Sequence, residues 1–272
     1  MKTIPFYKMH GSGNDFILLD NRELALPPEV MPLWAKALCR RAFSVGADGL
    51  IVLEPADAGA DVRWHFFNAD GSRAEMCGNG SRCAAALAYR LGMAPATLTL
   101  ATDAGPVRAQ VFAETDEVQV QLTELKDRKL DMALDVDGTT VTVHFANTGV
   151  PHAVVLVPDV AAVDVAHMGR ALRFHPAFAP AGTNANFAQV IDRGRLLLRT
   201  YERGVEAETY ACGTGAAATA AVAHALGLTD DTVRLTTSGG EELGVTVRGN
   251  QLQLRGKAVF VFRGELPAPP TP

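Results

Sequence analysis

The chain has only four cysteines, and no two of them form a Cys-x-x-Cys pair. Cys77 and Cys83 are wrongly spaced for ligands on adjacent helical turns, and no histidine cluster completes a zinc set, so no metal site is expected. The chain also lacks a basic run, and its net charge is −5, which argues against a nucleic-acid surface and for a small-molecule partner. No stretch approaches the roughly 18 uninterrupted apolar residues of a membrane span. The opening MKTIPFYKMHGSGNDF has no apolar region followed by a cleavage site. The expectation is a cytoplasmic protein with reduced thiols and no membrane partner.

What the chain does have is one stretch written twice. Residues 77–92 read CGNGSRCAAALAYRLG and residues 212–227 read CGTGAAATAAVAHALG, at an offset close to half of the 272 residues. In each copy a Gly-rich turn runs into an Ala-rich helix. The first backbone N–H groups of such a helix have no intrahelical partner, and its dipole adds positive charge there, so each copy is an anion cradle. Cys77 and Cys212 stand at those helix entries, where a thiol pKa is expected to fall. Two activated thiols on opposite sides of a bound carboxylate can take a proton from the neighbouring carbon and return one to the opposite face. That inverts a stereocentre.

The duplication extends well beyond the cysteines. TTVTVHFANTGVPHAVVLVPD echoes IPFYKMHGSGNDFILLD, FAPAGTNANFAQV echoes FSVGADGLIVLEP, LLLRTYER echoes DVRWHFFN, and the late hairpin returns as well. The short turns and strand periodicities predict an α+β protein of two homologous, pseudo-symmetric domains. Each is read as a mixed or antiparallel sheet wrapped around a central helix, with the active site in the cleft between them. The boundaries are read as 1–124, carrying Cys77, and 125–258, carrying Cys212, with 259–272 free to pack back on the first. Helices are expected over 29–41, after each cysteine and over 160–174, and the final PAPPTP as a disordered tail. Cys39 and Cys83 read as core residues.

Other residues carry two readings each. Asn14 serves the HGSGND turn or faces the site. The residue nine positions before each cysteine, Asn68 in one copy and Arg203 in the other, is expected at a strand end facing the same site. Arg203 is a solvated charge or a bidentate carboxylate clamp, and Asn68 is placed to meet an amine or a carboxylate. Glu202 pairs with an ammonium or tunes a thiol. His152 is a structural histidine or a thiol-tuning one. Gly78 with Asn79, and Gly213 with Thr214, cap the helices or present N–H groups to a carboxylate. Asn184 shapes a turn.

HGSGNDF, NADGSRAEMCGNGSRC, GTNANF and YERGVEAETYACGTGA together resemble the diaminopimelate epimerase family over nearly the whole chain. The resemblance implies a cofactor-independent, two-base interconversion of LL- and meso-diaminopimelate in lysine and peptidoglycan-precursor synthesis. It also implies a homodimer. It assigns Cys77 and Cys212 as acceptor and donor, and Asn14, Asn68, Gly78, Asn79, Asn184, Glu202, Arg203, Gly213 and Thr214 as substrate contacts. His152 and Glu202 match thiol-tuning positions. Three departures stand out: Val150 and Gly49 replace the amides common in the family, and the Arg203–Cys212 loop is one residue longer. The rival readings are a proline-racemase-type enzyme, a thiol-redox protein with a reversible Cys77–Cys212 disulfide, and a non-catalytic amino-acid-binding protein.

Overall fold

The repeat in the sequence becomes a repeat of strand pairings in the computed structural model, which describes residues 3–57 and 59–267. The chain opens with β1 (Ile4–Gly11), β2 (Asn14–Asp20), α1 (Met31–Leu38), β3 (Gly49–Pro55) and β4 (Val62–Asn68). It continues through α2 (Gly78–Arg90), β5 (Thr97–Thr102), β6 (Gly105–Phe112) and β7 (Glu117–Gln121). Next come β8 (Asp127–Val136), β9 (Thr139–Asn147), β10 (Pro151–Leu156), α3 (Val165–Arg173), β11 (Asn184–Asp192) and β12 (Arg195–Glu202). The remainder is β13 (Ala207–Thr209), α4 (Gly213–Ala225), β14 (Thr232–Thr237), β15 (Glu242–Arg248), β16 (Gln251–Lys257) and β17 (Val259–Leu266). One compact unit runs to Val120 and takes in the chain from Gly256 onward, and the other is Gln121–Arg255.

In the first unit β17 pairs antiparallel with β1, β1 with β2, β3 with β4, β5 with β6 and β6 with β7, while β2–β3 and β4–β5 are parallel. The second unit repeats that order. The pairs β8–β9, β9–β10, β11–β12, β14–β15 and β15–β16 are antiparallel, while β10–β11 and β12–β14 are parallel, with β13 added on β12. Thus β8 is to the second unit what β17 is to the first. The α+β architecture of two equivalent domains holds, each a mixed sheet around one helix.

The central helices owe their position to small side chains. In α4 every residue from Gly215 to Ala223 is buried, the mark of a helix covered on all sides. It packs on β9, β10, β11 and β15, and α2 packs on β1, β2, β3, β5 and β6. The outer helices α1 and α3 cover the other face of each sheet. One core gathers Trp34, Leu38, Ile17 and Leu50, and the other gathers Leu172, Val155, Phe187 and Tyr201.

Three local expectations change. Both strands of the first hairpin extend to a two-residue turn, Ser12 and Gly13 at φ 58 and 79, the left-handed pair of a type I′ hairpin, so Asn14 is a strand residue. The 29–41 helix is shorter, Met31–Leu38, with buried Cys39 as its C-cap. Strand β8 has no counterpart in the sequence reading, because its exposed, charged Asp127, Arg128, Lys129, Asp131 and Asp135 look like a linker. Except for Pro267, the PAPPTP segment lies outside the described residues.

Candidate active site

One candidate centre forms where α2 begins. Cys77 is its N-cap, in extended backbone, and its sulfur accepts the Gly80 N–H at 3.4 Å. The Cys77 thiol also donates to Asn14 Oδ1 at 3.6 Å, and Asn79 Nδ2 donates to the same oxygen at 3.4 Å. The direction of the Asn14 amide is set from behind. Its Nδ2 donates to Asp48 Oδ2 at 2.7 Å, which leaves Oδ1 as the atom facing Cys77. Asp48 is itself held by Arg41 (2.9 Å), and Arg41 and Lys8 both pair with Asp15. Burial pushes the Asp15 carboxyl up, but hydrogen bonds from Arg41 and Lys8 outweigh it and the net shift is downward. Fully buried Arg82 completes this shell. It donates to Asn79 Oδ1 at 2.9 Å, Ser12 Oγ at 2.8 Å and the Lys257 carbonyl at 3.2 Å, so Asn79 turns its N–H₂ toward Asn14.

The equivalent centre of the other unit forms where α4 begins, with different chemistry. Cys212 is the N-cap and is buried. Burial pushes its thiol up to about 11, the charge of Glu202 adds to that, and the Thr214 hydroxyl and the Thr214 and Gly215 N–H groups oppose it. The expected depression of this thiol is therefore corrected: desolvation exceeds the helix-end effect. Burial likewise raises the Glu202 carboxyl. The Cys212 sulfur lies 3.5 Å from the Thr214 hydroxyl, and the Thr214 carbonyl accepts from Thr148 Oγ1 at 3.2 Å.

Behind this helix entry lies a buried polar group of three. Thr200 Oγ1 donates to Asn186 Oδ1 at 3.1 Å, and Asn186 Nδ2 contacts the Ala153 carbonyl (2.9 Å) and His152 Nδ1 (3.2 Å). His152 is wholly buried, and burial, aided by the positive charge of Arg203, takes its imidazole down to about 3. Its Nε2 has no hydrogen-bond partner among the described residues.

Sheet register revises one equivalence. Asn68 faces Gly49 across β3–β4, and Phe16 pairs with Gly49 as His152 pairs with Asn184. One step beyond the Ala185–Tyr201 pair puts Glu202 opposite Asn184. The residue matching Asn68 is therefore Glu202. Arg203 lies one position further, because the second loop is a residue longer. Arg203 donates its backbone N–H to Asn184 Oδ1 at 2.8 Å and its guanidinium to the Ala181 carbonyl at 2.9 Å. Asn184 also donates to the Pro151 carbonyl at 3.0 Å, so it ties together β10, β11 and the end of β12 and does more than shape a turn. Asn68 is exposed and donates to Ser72 Oγ at 2.9 Å. Gly78 and Gly213 are the first helical residues of α2 and α4.

Gly49 has a steric reason: a Cβ there would lie 2.6 Å from the Phe66 ring and 2.7 Å from the Phe67 carbonyl. Asp48, Arg82, Asn186 and Thr200 are absent from the sequence reading. Asn186 carried a signal, since a strand places residues two apart on one face and Asn184 had been singled out. Among the described residues no group of three or more His, Cys, Asp or Glu side chains is placed to hold a metal ion. None of the helices among those residues is long and apolar enough to cross a membrane.

Comparison with known proteins agrees with this frame. A family model described as diaminopimelate epimerase matches residues 6–126 and 144–261. The chain is 44% identical to a diaminopimelate epimerase of Hydrogenobaculum sp. (strain Y04AAS1), covering 95% of this chain and 97% of that one. It is 43% identical to one of Aquifex aeolicus, covering 96% and 97%. Among solved structures it resembles a PhzF-family phenazine biosynthesis protein of Bacillus anthracis, with TM-score 0.74, 17% identity and coverage of 98% and 99%. It also resembles a probable proline racemase of Agrobacterium radiobacter K84, with TM-score 0.68, 19% identity and coverage of 97% and 92%. At those identities the structural likeness speaks for the fold alone.

Proposed function

Because the chain belongs to the diaminopimelate epimerase family, we propose that it interconverts LL- and meso-2,6-diaminopimelate by moving one α-proton between Cys77 and Cys212 without a cofactor. The observation that carries this reading is the matched pair of thiols, each the N-cap of the central helix in a unit with the same strand order. A carbon beside a carboxylate is a weak acid, and a cofactor-independent reaction has no electron sink to spread its charge. Electrostatics must supply the stabilisation. The N–H groups of Gly78 and Asn79, and of Gly213 and Thr214, are the donors for the reacting carboxylate, each contributing about 3 kcal/mol when aimed at developing charge.

In one direction the Cys77 thiolate takes the α-proton and the Cys212 thiol delivers its own to the opposite face; in reverse the roles exchange. The raised pKa of Cys212 suits it to the donor role. Glu202, whose charge acts on Cys212, is the group that tunes that thiol, His152 is the other thiol-tuning position, and Asn14 Oδ1 accepts from the Cys77 thiol and orients it. Asn68, Asn184 and Arg203 anchor the distal end. With Val150 and Gly49 in place of amides, that end has fewer side-chain donors than the family pattern. The assignment extends to lysine and peptidoglycan-precursor synthesis by a cytoplasmic homodimer.

The test is turnover of LL-diaminopimelate by reduced protein in deuterium oxide, with Cys77→Ser and Cys212→Ser in parallel. The expected result is meso product carrying deuterium at one α-carbon and, in both variants, epimerisation lowered by at least about a thousandfold. Product without solvent deuterium, or either variant retaining full activity, would overturn the two-thiol mechanism. No turnover by the wild type would remove the substrate.

A further inference from the structure

Three register positions behind each cysteine can be compared side by side. In the first unit they are Phe16, Ile51 and Phe66, with the two rings meeting edge-on at 5.7 Å. In the second unit they are His152, Asn186 and Thr200. The central helix glycine sits over the middle residue in both. A Cβ at Gly80 would meet Ile51 Cδ1 at 3.2 Å, and one at Gly215 would meet Asn186 Oδ1 at 2.4 Å. One copy thus holds an apolar plug where the other holds three buried polar side chains. Burying polar groups costs stability unless each is satisfied.

We propose that Asn186 is a positioning residue that holds His152 as the neutral Nε2–H tautomer, so that His152 serves the reaction as a hydrogen-bond donor and not as a base. The proposal rests on the epimerase reading for its functional part and on geometry alone for the tautomer. The Asn186 amide has one orientation compatible with its neighbours. The Ala153 carbonyl at 2.9 Å can only accept, so the atom facing it is Nδ2, and the Thr200 hydroxyl then donates to Oδ1. The same Nδ2 lies 3.2 Å from His152 Nδ1 and presents a hydrogen to it. Nδ1 is therefore the acceptor nitrogen, and the ring proton resides on Nε2.

Nε2 is the buried atom without a partner among the described residues. A buried donor left unsatisfied is costly, and keeping one has a use if an acceptor arrives with the substrate. Arg203, the charged group that acts on this ring, opposes a second proton and so reinforces the neutral form. A neutral imidazole with its proton on Nε2 can stabilise an anion, either a thiolate or a carboxylate, without itself gaining or losing a proton. Fixing the tautomer from a second residue matters because the wrong tautomer offers a lone pair where a donor is needed.

The tautomer is read directly by ¹⁵N-resolved NMR of the imidazole in the full-length wild type, with His152→Gln to assign the signals. The expected spectrum has a pyrrole-type Nε2 and a pyridine-type Nδ1 at neutral pH, with the Nε2–H resonance moving when diaminopimelate is added. Asn186→Asp replaces the donor facing Nδ1 with an acceptor. It should move the proton to Nδ1 or make an imidazolium, lower kcat about tenfold or more with KM within about threefold, and add an ionisation to the kcat–pH profile. If that variant does not fold, Asn186→Leu serves instead. It removes the donor facing Nδ1 and is expected to leave a mixture of tautomers and a smaller loss in kcat; a folded Asn186→Leu protein that keeps a single Nε2–H tautomer overturns the proposal. A wild-type Nδ1–H tautomer, or a folded Asn186→Asp protein with an unchanged imidazole spectrum, overturns the proposal. Either result leaves the two-thiol reading standing, since neither involves turnover. An Nε2–H signal indifferent to the substrate overturns the donor role.

Discussion

The two units share strand order, register and a cysteine at the entry of the central helix, yet they surround that cysteine oppositely. Around Cys77 the polar groups stand in front of the helix entry: Asn14, Asn79, Asp48 and Arg82 form a connected shell, backed by the apolar Phe16, Ile51 and Phe66. Around Cys212 the polar groups lie behind it, in the buried His152, Asn186 and Thr200, and the thiol is covered. Duplication preserved the backbone, which is what holds a thiol at a helix end, and left the side chains free to diverge. Each unit therefore holds the same thiol placement in a different polar setting.

The largest expected effect that sharpens this contrast is in thiol reactivity. With its pKa at about 11, Cys212 has a thiolate fraction at neutral pH roughly a hundredfold below that of an ordinary thiol. In Cys77→Ser protein without ligand, iodoacetamide should modify Cys212 at a rate that climbs about tenfold per pH unit toward that value. Glu202→Gln removes a charge that raises the pKa, so modification at pH 8 should become faster. A Cys212 that reacts at neutral pH like a free thiol would remove the electrostatic difference claimed for this half.

A smaller effect separates the two helix glycines. Ala in place of Gly inside a helix gains about 1 kcal/mol in propensity. At Gly80 the new Cβ meets the ends of Ile51 and Trp64 at 3.2 Å, which a few tenths of an ångström of movement relieves, so Gly80→Ala should be near neutral in stability. At Gly215 it would lie 2.4 Å from Asn186 Oδ1, an atom held by Thr200. Gly215→Ala should cost about 1–3 kcal/mol and disturb the His152 ring. Thermal or denaturant unfolding of both variants decides this, and equal effects would mean that the polar triad yields as readily as the apolar plug.

Much of this organisation was legible in the sequence, because a duplication shows itself in any residue pair kept in register. The central helices, the thiols at their entries and the strands flanking them follow from spacing and turn chemistry. Other features depended on three-dimensional facts. Strand β8 hides because an edge strand with one exposed face can carry five charges, as its Asp127, Arg128, Lys129, Asp131 and Asp135 do. The match between Asn68 and Glu202 is set by strand pairing, whereas counting back from the cysteine crosses a loop of different length and lands on Arg203. The Cys212 pKa follows from burial, a sum over neighbours that a local motif does not contain. Thr200 reads as an ordinary strand residue and Asn186 shows only by its spacing of two from Asn184; the register is what places them beneath Gly215 and beside His152.

The smallest expected effect compares His152 with its counterpart Phe16 through acid stability. Burial holds the imidazole neutral down to about 3, whereas in the unfolded chain it protonates near its ordinary value of 6.5. The unfolded state therefore binds a proton that the native state refuses. This group's contribution is complete above pH 6.5 and is lost as pH falls toward 3, at about 1.4 kcal/mol per pH unit within that window. Urea unfolding at pH 7.5 and 5.5 should show that loss in the wild type. His152→Phe, which copies the first unit, should make the slope shallower by about one proton, whatever its effect on absolute stability. An unchanged slope would mean that His152 protonates in the folded protein at its ordinary pH. The second unit would then carry an imidazolium at neutral-to-acid pH, and its polar triad would differ from the apolar plug in charge as well as in hydrogen bonding.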